Sequence, residues 1–302
     1  MTQPVPDGPA GPPAPSCPRH PERPTRMSCQ RCGRPTCPAC AREAPVGIQC
    51  VDCVGAAARA TPTTRSALGG VLTPGPPVLS YSLIGVCVVV YLAQLAVPRL
   101  TELGAFVPFV GLEQPWRFVT ASFLHSPGQP MHIIFNMLAL WQVGQWLEPM
   151  LGRARFGALY LLSGFGGTVA YLLFARPPSS VLDLGDGAWF SGMIGASGAV
   201  FGLFGAALVS LRRLDQPLGG MLVLLGINAV IPVFAPAIAW QAHLGGFVVG
   251  ALVTLIVAGL AAPGRRRWQW PALAAVAVIL LALVAVAYSL ADTSFVDNLP
   301  TS

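Results

Sequence analysis

Charged residues are scarce in this chain. Only 10% of its 302 residues are Asp, Glu, Lys or Arg, whereas 54% are hydrophobic and the mean hydropathy is +0.63. Soluble domains usually carry about 25% charged residues. The composition therefore excludes an ordinary soluble domain and predicts an all-α polytopic membrane protein.

Seven apolar runs are long enough to cross a bilayer, which needs about 20 residues of helix. They cover residues 78–97, 131–147, 156–175, 193–211, 218–234, 237–260 and 268–291. No Asp, Glu, Lys or Arg lies inside any of them. A channel or transporter is expected to place such groups at depth, so the pattern argues against both functions.

Lysine is absent, and all 18 basic residues are arginine. If the N-terminus is cytoplasmic, fifteen arginines fall on the cytoplasmic side and only Arg99, Arg117 and Arg176 fall outside. Because arginine-rich loops stay in the cytoplasm, we expect this orientation in the cell membrane, with an external tail at residues 292–302. The all-arginine composition, rich in alanine and glycine, favours a bacterial origin.

A few polar residues interrupt the apolar runs. His132 and Asn136 open the second run, Ser197 lies in the fourth and His243 in the sixth. All three runs enter from the external side, and at about 1.5 Å per residue Asn136, Ser197 and His243 lie about 5–10 Å below the outer rim. Small-residue patterns at 198/202 and 246/250 allow close approach of the two helices, which would bring Ser197 within reach of His243.

These residue types suit nucleophilic catalysis. A neutral histidine can take the proton of a serine hydroxyl, and attack on an amide then creates an oxyanion that needs hydrogen-bond donors. Ser197 is the candidate nucleophile and His243 its base, with His132, Asn136 and the Ser197 backbone N–H as oxyanion donors. No aspartate lies at depth, so a dyad is predicted. Alone, Ser197 or Asn136 would be read as a helix-packing residue, but together they favour an active site.

The same residues give the chain a resemblance to rhomboid intramembrane serine proteases, from residue 80 to about 260. It rests on Trp116 and Arg117, on the segments 132–136 and 195–198, and on 242–246 followed by Gly250. The resemblance implies a six-helix core at residues 78–262, a seventh helix at 263–291, and cleavage of transmembrane segments near their external ends. The alternative is a catalytically inactive rhomboid-like binding protein.

Further roles follow only from the resemblance. Trp116 and Arg117 would belong to a partly embedded loop beside the active site, and Glu148 would be a structural acid. Phe201 stands where the family often has tyrosine, which keeps the ring beside the histidine and loses its hydroxyl.

Closely spaced cysteines form a second feature at residues 17–55. Seven cysteines and one histidine would hold two structural zinc ions with no open coordination position. A disulfide framework is the alternative, but seven cysteines leave one unpaired and the cytoplasm keeps thiols reduced. The eight predicted ligands are Cys17, His20, Cys29, Cys32, Cys37, Cys40, Cys50 and Cys53.

The segment resembles a B-box-type zinc finger. That resemblance implies alternate pairing, with residues 17, 20, 37 and 40 at one site and 29, 32, 50 and 53 at the other, although sequential pairing would satisfy the chemistry equally well. Residues 1–16 are predicted to be disordered and 56–77 to be a flexible linker. We expect the module to have a protein partner and no nucleic acid.

Overall fold

The computed structural model describes residues 13–45, 47–60, 65–70, 75–180, 188–234 and 238–294. The chain divides into two compact units, Met1–Thr63 and Thr64–Ser302. Most of the predicted disordered segment 1–16, parts of the linker 56–77 and most of the tail 292–302 lie outside the described residues.

The first unit is built from two short antiparallel hairpins and a helix. Strand β1 (Ser16–Cys17) pairs with β2 (His20–Pro24), and β3 (Ala41–Ala44) pairs with β4 (Gly47–Cys50). Helix α1 (Val51–Ala60) follows directly. It runs into the predicted linker, because its alanine-rich sequence favours helix.

The second unit is helical, and each of the seven apolar runs coincides with a long helix. Two short helices, α3 (Arg99–Gly104) and α4 (Arg117–Thr120), lie between the first two long ones. The long helices are α2 (Val78–Ala96), α5 (Pro130–Leu151), α6 (Arg153–Phe174), α7 (Ser197–Arg213), α8 (Gly219–Phe234), α9 (Trp240–Gly259) and α10 (Gln269–Leu290).

By length and composition, four helices of the described residues could each cross a membrane: Val78–Ala96, Arg153–Phe174, Trp240–Gly259 and Arg266–Leu290. The helices at the other three predicted spans are either shorter or less apolar. Helix α7 has only 17 residues, α5 carries polar residues along its length, and Gly219–Asn228 within α8 is apolar but short.

Helices α6, α7 and α9 form the centre of the unit, and their buried side chains make up much of its largest hydrophobic cluster. Tyr160 and Phe156 of α6 and Leu203 of α7 are fully enclosed. The other helices surround this trio, so the residues on α7 and α9 are held by the most rigid part of the fold.

Helix α7 begins later than the apolar run that predicted it. Residue 193 is not helical, because Met193 forms a β-bridge with Phe106. Gly195 then has φ +136°, a backbone conformation that side chains rarely adopt. The helix starts only at Ser197, which places the predicted nucleophile at a helix end.

At the end of α5 opposite His132, Glu148 is buried and accepts hydrogen bonds from the backbone N–H groups of Leu79 and Ser80 at 3.0 and 2.7 Å. The segment 65–70 packs at this same end of the bundle. Its Leu68 is 1% exposed, and the hydroxyl of Ser66 donates to the carbonyl of Met150. This part of the predicted linker is therefore docked on the helices.

Helix α10 is fastened at both of its ends. Near its start, the Gln269 amide donates to the Val257 carbonyl of α9 at 2.7 Å. Near its end, the Tyr288 hydroxyl donates at 2.7 Å to the carbonyl of Pro108, which lies in the loop between α3 and α4.

Candidate functional site

The predicted nucleophile, Ser197, occupies the first turn of α7. The first backbone hydrogen bond into this helix runs from the Val200 N–H to the Ala196 carbonyl at 2.9 Å. By helix geometry the N–H groups of residues 197–199 precede it and have no intrahelical acceptor. The start of α7 therefore offers a cluster of N–H donors and the positive end of a helix dipole beside the serine hydroxyl.

Gly195 brings Ser197 and His132 together. Its N–H donates to the Ala121 carbonyl at 2.9 Å, which fixes the strand-like approach to the helix. A Cβ atom placed on Gly195 would lie 2.8 Å from His132 Nε2 and 3.4 Å from Ser197 Oγ. The imidazole of α5 and the hydroxyl of α7 thus both face the backbone of residue 195.

Hydrogen bonds on the far side of the His132 ring indicate where its proton lies. The Ser126 backbone N–H approaches His132 Nδ1 at 3.3 Å, so Nδ1 is an acceptor. A neutral imidazole then carries its proton on Nε2, the nitrogen that faces Gly195. Asn136, one turn along α5, is buried and donates from Nδ2 to the His132 carbonyl at 2.8 Å.

Helices α7 and α9 approach closely along their glycines. A Cβ atom on Gly246 would overlap the backbone of Gly198, and one on Gly250 would overlap the backbone of Gly202. The two small-residue patterns of the sequence thus face each other across the interface. This contact fixes the height of α9, and with it His243, against the first turns of α7.

His243 stacks on Phe201, which lies one turn after Ser197. The two ring centroids are 4.0 Å apart and the planes differ by only 9°. The stack holds the predicted base alongside the start of α7 and restricts rotation of the imidazole. It needs only the aromatic ring, so replacing the family's frequent tyrosine by phenylalanine leaves the contact in place.

Trp116 and Arg117 lie in the loop between α2 and α5, as the sequence predicts. The Arg117 side chain is buried, donates to Gln114 Oε1 at 2.6 Å and to the Glu102 carbonyl at 2.6 Å, and also reaches the Ala105 carbonyl. Trp116 is exposed, and its indole N–H donates to the Leu103 carbonyl at 3.2 Å. Arg117 therefore gathers the loop around its guanidinium.

Sequence reasoning missed three parts of this site. The sequence identifies Gly195 only as part of a motif, and no residue pattern predicts the positive φ of its backbone. The N–H donor from Ser126 depends on a fold of the chain before α5. His125 is fully buried, with its ring 5.2 Å from that of His132, a proximity that the seven-residue spacing does not reveal.

The predicted metal ligands gather into two clusters in the first unit. Within each cluster the ligand atoms all lie within 4.8 Å of one another. The grouping is the alternate one: the clusters are Cys17, His20, Cys37 and Cys40, and Cys29, Cys32, Cys50 and Cys53. The two members of each closely spaced pair thus share a site, and successive pairs along the chain alternate between the two sites.

Distances inside the clusters suit a tetrahedral zinc ion. Bond lengths of about 2.3 Å to sulfur and 2.0–2.1 Å to nitrogen imply sulfur–sulfur separations near 3.8 Å and sulfur–nitrogen separations near 3.6 Å. The Sγ atoms of Cys32 and Cys50 are 3.8 Å apart. His20 Nδ1 lies 3.4 Å from Cys37 Sγ and 3.3 Å from Cys40 Sγ. All eight cysteines of the chain are free thiols, which disfavours the disulfide alternative.

Thiol acidity differs within the clusters. A hydrogen bond from the Cys37 backbone lowers the pKa of Cys17 to about 6, and one from the Cys50 backbone lowers the pKa of Cys29 to about 6. Desolvation and then the neighbouring thiols raise the pKa of Cys40 to about 11. Hydrogen bonds from Arg34 also lower the pKa of Cys32, so each cluster holds at least one thiol whose thiolate is favoured. A bound cation would offset the repulsion that resists ionisation of the others.

The fold and the site define a helical, polytopic membrane protein with a serine at a helix start and histidines around it. Comparison with known families agrees: residues 112–260 match the Rhomboid domain. The Rhomboid domain thus covers residues 112–260, just under half of the chain, and proteins named as rhomboid proteases are among its relatives.

Similar proteins come from bacteria and from a plant. The chain is 28% identical to Rhomboid protease GluP of Bacillus subtilis (strain 168), over 78% of this chain and 45% of that protein. It is 27% identical to Rhomboid protease AarA of Providencia stuartii, over 58% and 66%. It is 32% identical to RHOMBOID-like protein 5 of Arabidopsis thaliana, over 54% and 50%. The chain thus spans about half the length of this plant relative.

Proposed function

We propose that this protein is an intramembrane serine endopeptidase that cleaves transmembrane segments of other membrane proteins. The observation that carries the proposal is the arrangement around Gly195, where Ser197 Oγ, His132 Nε2 and the free N–H groups of the α7 start converge. His243, stacked on Phe201, supplies a base beside the same helix turn.

Each group has a defined chemical task. Ser197 Oγ attacks the carbonyl carbon of the scissile amide while its proton passes to His243. The carbonyl oxygen becomes an oxyanion, which accepts hydrogen bonds from His132 Nε2–H and from the N–H groups at the start of α7. Asn136 has a second Nδ2–H beyond the one given to the His132 carbonyl, and this can join them.

Collapse of the tetrahedral intermediate breaks the C–N bond, and His243 returns its proton to the leaving amine. Water then attacks the acyl-serine, with His243 again accepting a proton, and releases the second product and the free hydroxyl. The dyad has no carboxylate partner in this scheme. The Phe201 ring takes over the task of orienting the imidazole.

Labelling with a serine-directed fluorophosphonate tests the assignment. We expect labelling at Ser197, its loss in Ser197→Ala and a strong decrease in His243→Ala, since the unactivated hydroxyl is a poor nucleophile. The matched control is Ser210→Ala, because Ser210 lies on the same helix with its hydroxyl bonded to the Ala206 carbonyl at 2.7 Å. Undiminished labelling of the Ser197→Ala protein would refute the proposal.

The N-terminal unit is proposed to bind two structural zinc ions in the two ligand clusters. Cluster geometry supports this, and the small unit has little hydrophobic core beyond Cys17, Cys37 and Cys40 themselves. Metal binding would then supply much of its folding free energy. With every ligand position filled by protein, the ions would have no catalytic coordination site.

The proposed topology places the N-terminal unit in the cytoplasm and the start of α7 near the external face. The arginine distribution supports it, because seven arginines lie at the helix ends and connections that follow α5, the body of α7 and α9. The substrate class follows from the location of Ser197, which only a transmembrane segment unwound near its external end could reach.

A further inference from the structure

Three arginines gather where the segment 65–70 meets the ends of α6 and α10. The Arg65 guanidinium donates to the Gly69 carbonyl at 3.1 Å. Arg266 packs over the same glycine, since a Cβ atom there would lie 3.5 Å from Arg266 Nε. Arg155 donates at 2.8 Å to Gln269 Oε1, three residues beyond Arg266. We call Arg65, Arg155 and Arg266 the arginine cluster.

The cluster carries uncompensated positive charge. The charges of Arg65 and Arg266 both act on Arg155, so the three guanidiniums are close enough to repel one another. None of them takes part in an ion pair within the described residues. Glu148, the acid at this end of α5, does not neutralise the cluster. It accepts hydrogen bonds from the N–H groups of Leu79 and Ser80, and its ion pair is with Arg153 at 3.8 Å.

Donor groups in the cluster remain available. Arg266 Nε is buried and has no hydrogen-bond partner among the described residues, a costly state for a charged group. Four hydrogen bonds from these side chains to the protein are seen. Each guanidinium has five N–H groups, so most of the donors remain available to a ligand. Planar guanidinium forks suit the oxygens of a phosphate.

Neighbouring aromatic residues place the cluster at the level of lipid headgroups. Trp268 and Trp270 at the start of α10 are about half exposed, and the Arg267 guanidinium lies 5.7 Å above the Trp268 ring. Exposed tryptophans at the end of an apolar helix mark the membrane interface. A phosphate at the cluster would therefore sit in the headgroup layer.

We propose that the arginine cluster is a binding site for a phosphate group, and that its occupant is the headgroup of an anionic phospholipid. Such a headgroup would join the segment 65–70 to α6 and α10 and offset the repulsion among the three guanidiniums. The site would thereby fasten the chain where it enters the helical unit.

Native mass spectrometry of the full chain, titrated with phosphatidylglycerol, tests the proposal. We expect one phosphatidylglycerol to bind in preference to phosphatidylcholine. Binding should weaken by about fivefold for each charge removed in Arg65→Gln/Arg155→Gln/Arg266→Gln. The matched control, Arg212→Gln/Arg213→Gln/Arg265→Gln, removes the same charge from the last turn of α7 and the segment after α9, and should bind within twofold of the unchanged chain.

Two further experiments distinguish a loss of binding from a loss of structure, and a lipid headgroup from free phosphate. Arg65→Gln/Arg266→Gln keeps the Arg155 to Gln269 bond, so its loss of binding cannot be assigned to unfastening of α10. In nanodiscs, the melting temperature of the unchanged chain should rise when phosphatidylglycerol replaces a quarter of the phosphatidylcholine. Adding inorganic phosphate should not raise the melting temperature by a comparable amount. Equal weakening in the two triple variants would overturn the site, and an equal rise with inorganic phosphate would overturn the lipid as its occupant.

Discussion

The centre of the proposed active site is a residue with no side chain. Gly195 has φ +136° and lies against both His132 and Ser197. Any Cβ there would strain the backbone and press on the imidazole that is proposed to stabilise the oxyanion. The proposed chemistry of these two residues therefore depends on the absence of a methyl group at residue 195.

Gly195→Ala should lower proteolysis by about 100-fold or more, the effect expected for losing an oxyanion donor. The helical unit should still fold, because the strain is local. Cleavage of a single-span reporter in proteoliposomes measures the rate. Gly192→Ala is the control, since a Cβ there would meet only Ala105 at 3.6 Å and Val107 at 3.8 Å. Equal rates in the two variants would contradict the role of Gly195.

Phe201 provides a second test at this scale. Phe201→Leu removes the stack on His243 and should lower the rate by about tenfold, as expected for a loosened general base. Phe201→Tyr keeps the ring and should retain most of the activity. A tyrosine variant as impaired as the leucine variant would show that the stack with His243 is not what matters.

The proposed functional residues themselves could be named from sequence, because polar residues are costly in apolar runs and cysteine spacing is characteristic. Their supports could not. The φ of Gly195 depends on how its segment meets Ala121 and α5, and the contacts of Ser126 and His125 with His132 depend on how the chain folds just before α5. The grouping of the zinc ligands could not be derived from their spacing either, and only the B-box resemblance implied it. In the structure, the packing of the two hairpins brings these ligands together.

At the scale of elements, α7 and α9 form the most closely packed pair. Backbone meets backbone at Gly198 against Gly246 and at Gly202 against Gly250. Hydropathy located both helices but missed the start of α7 by four residues, since an apolar segment such as 193–196 reads the same whether helical or extended. That boundary decides whether Ser197 lies within a helix or at its end.

Gly250→Ala should destabilise the helical unit by about 1–3 kcal/mol, the usual cost of overpacking. The added methyl would overlap the Gly202 backbone, which cannot move aside as a flexible side chain would. Thermal unfolding in detergent measures the change. Gly226→Ala on α8 is the control, because no atom of the described residues lies within 4 Å of a Cβ there. An unchanged melting temperature for Gly250→Ala would contradict the close packing.

At the scale of the whole molecule, the chain joins a small unit that is proposed to bind metal to a large apolar one. On that proposal the two would have different sources of stability: ligand bonds in the first and helix packing in the second. Removing the metal should therefore affect the first alone. The linker prediction was too long, because α1 extends to Ala60 and the segment 65–70 docks on the bundle.

The full chain should contain two zinc ions by elemental analysis. Strong chelation should make residues 13–60 sensitive to protease, while reporter cleavage continues. Cys37→Ser should lose metal at one site, whereas Cys87→Ser should keep both ions, because Cys87 is a buried residue of α2 and belongs to neither ligand cluster. One ion or none in the unchanged chain would contradict the eight-ligand set.

The proposed topology predicts where substrates are cut. A reporter with alanine at the cleavage position and a helix-breaking residue shortly after it should be cleaved near the external end of its span. A run of leucines across that region should protect it by keeping its amides helical. Mass spectrometry of the products locates the cut, and a site in the cytoplasmic half would contradict the orientation.

The bond between Tyr288 and Pro108 also has a consequence for biosynthesis. Its partners are 180 residues apart, so at about 5–20 residues per second the ribosome needs about 9–36 s to make the second after the first. Until then the loop that contains Arg117 lacks its contact with α10. A newly made chain therefore holds its candidate nucleophile before this loop is fastened, and we expect the proposed proteolysis to reach its full rate only after α10 has packed against the loop.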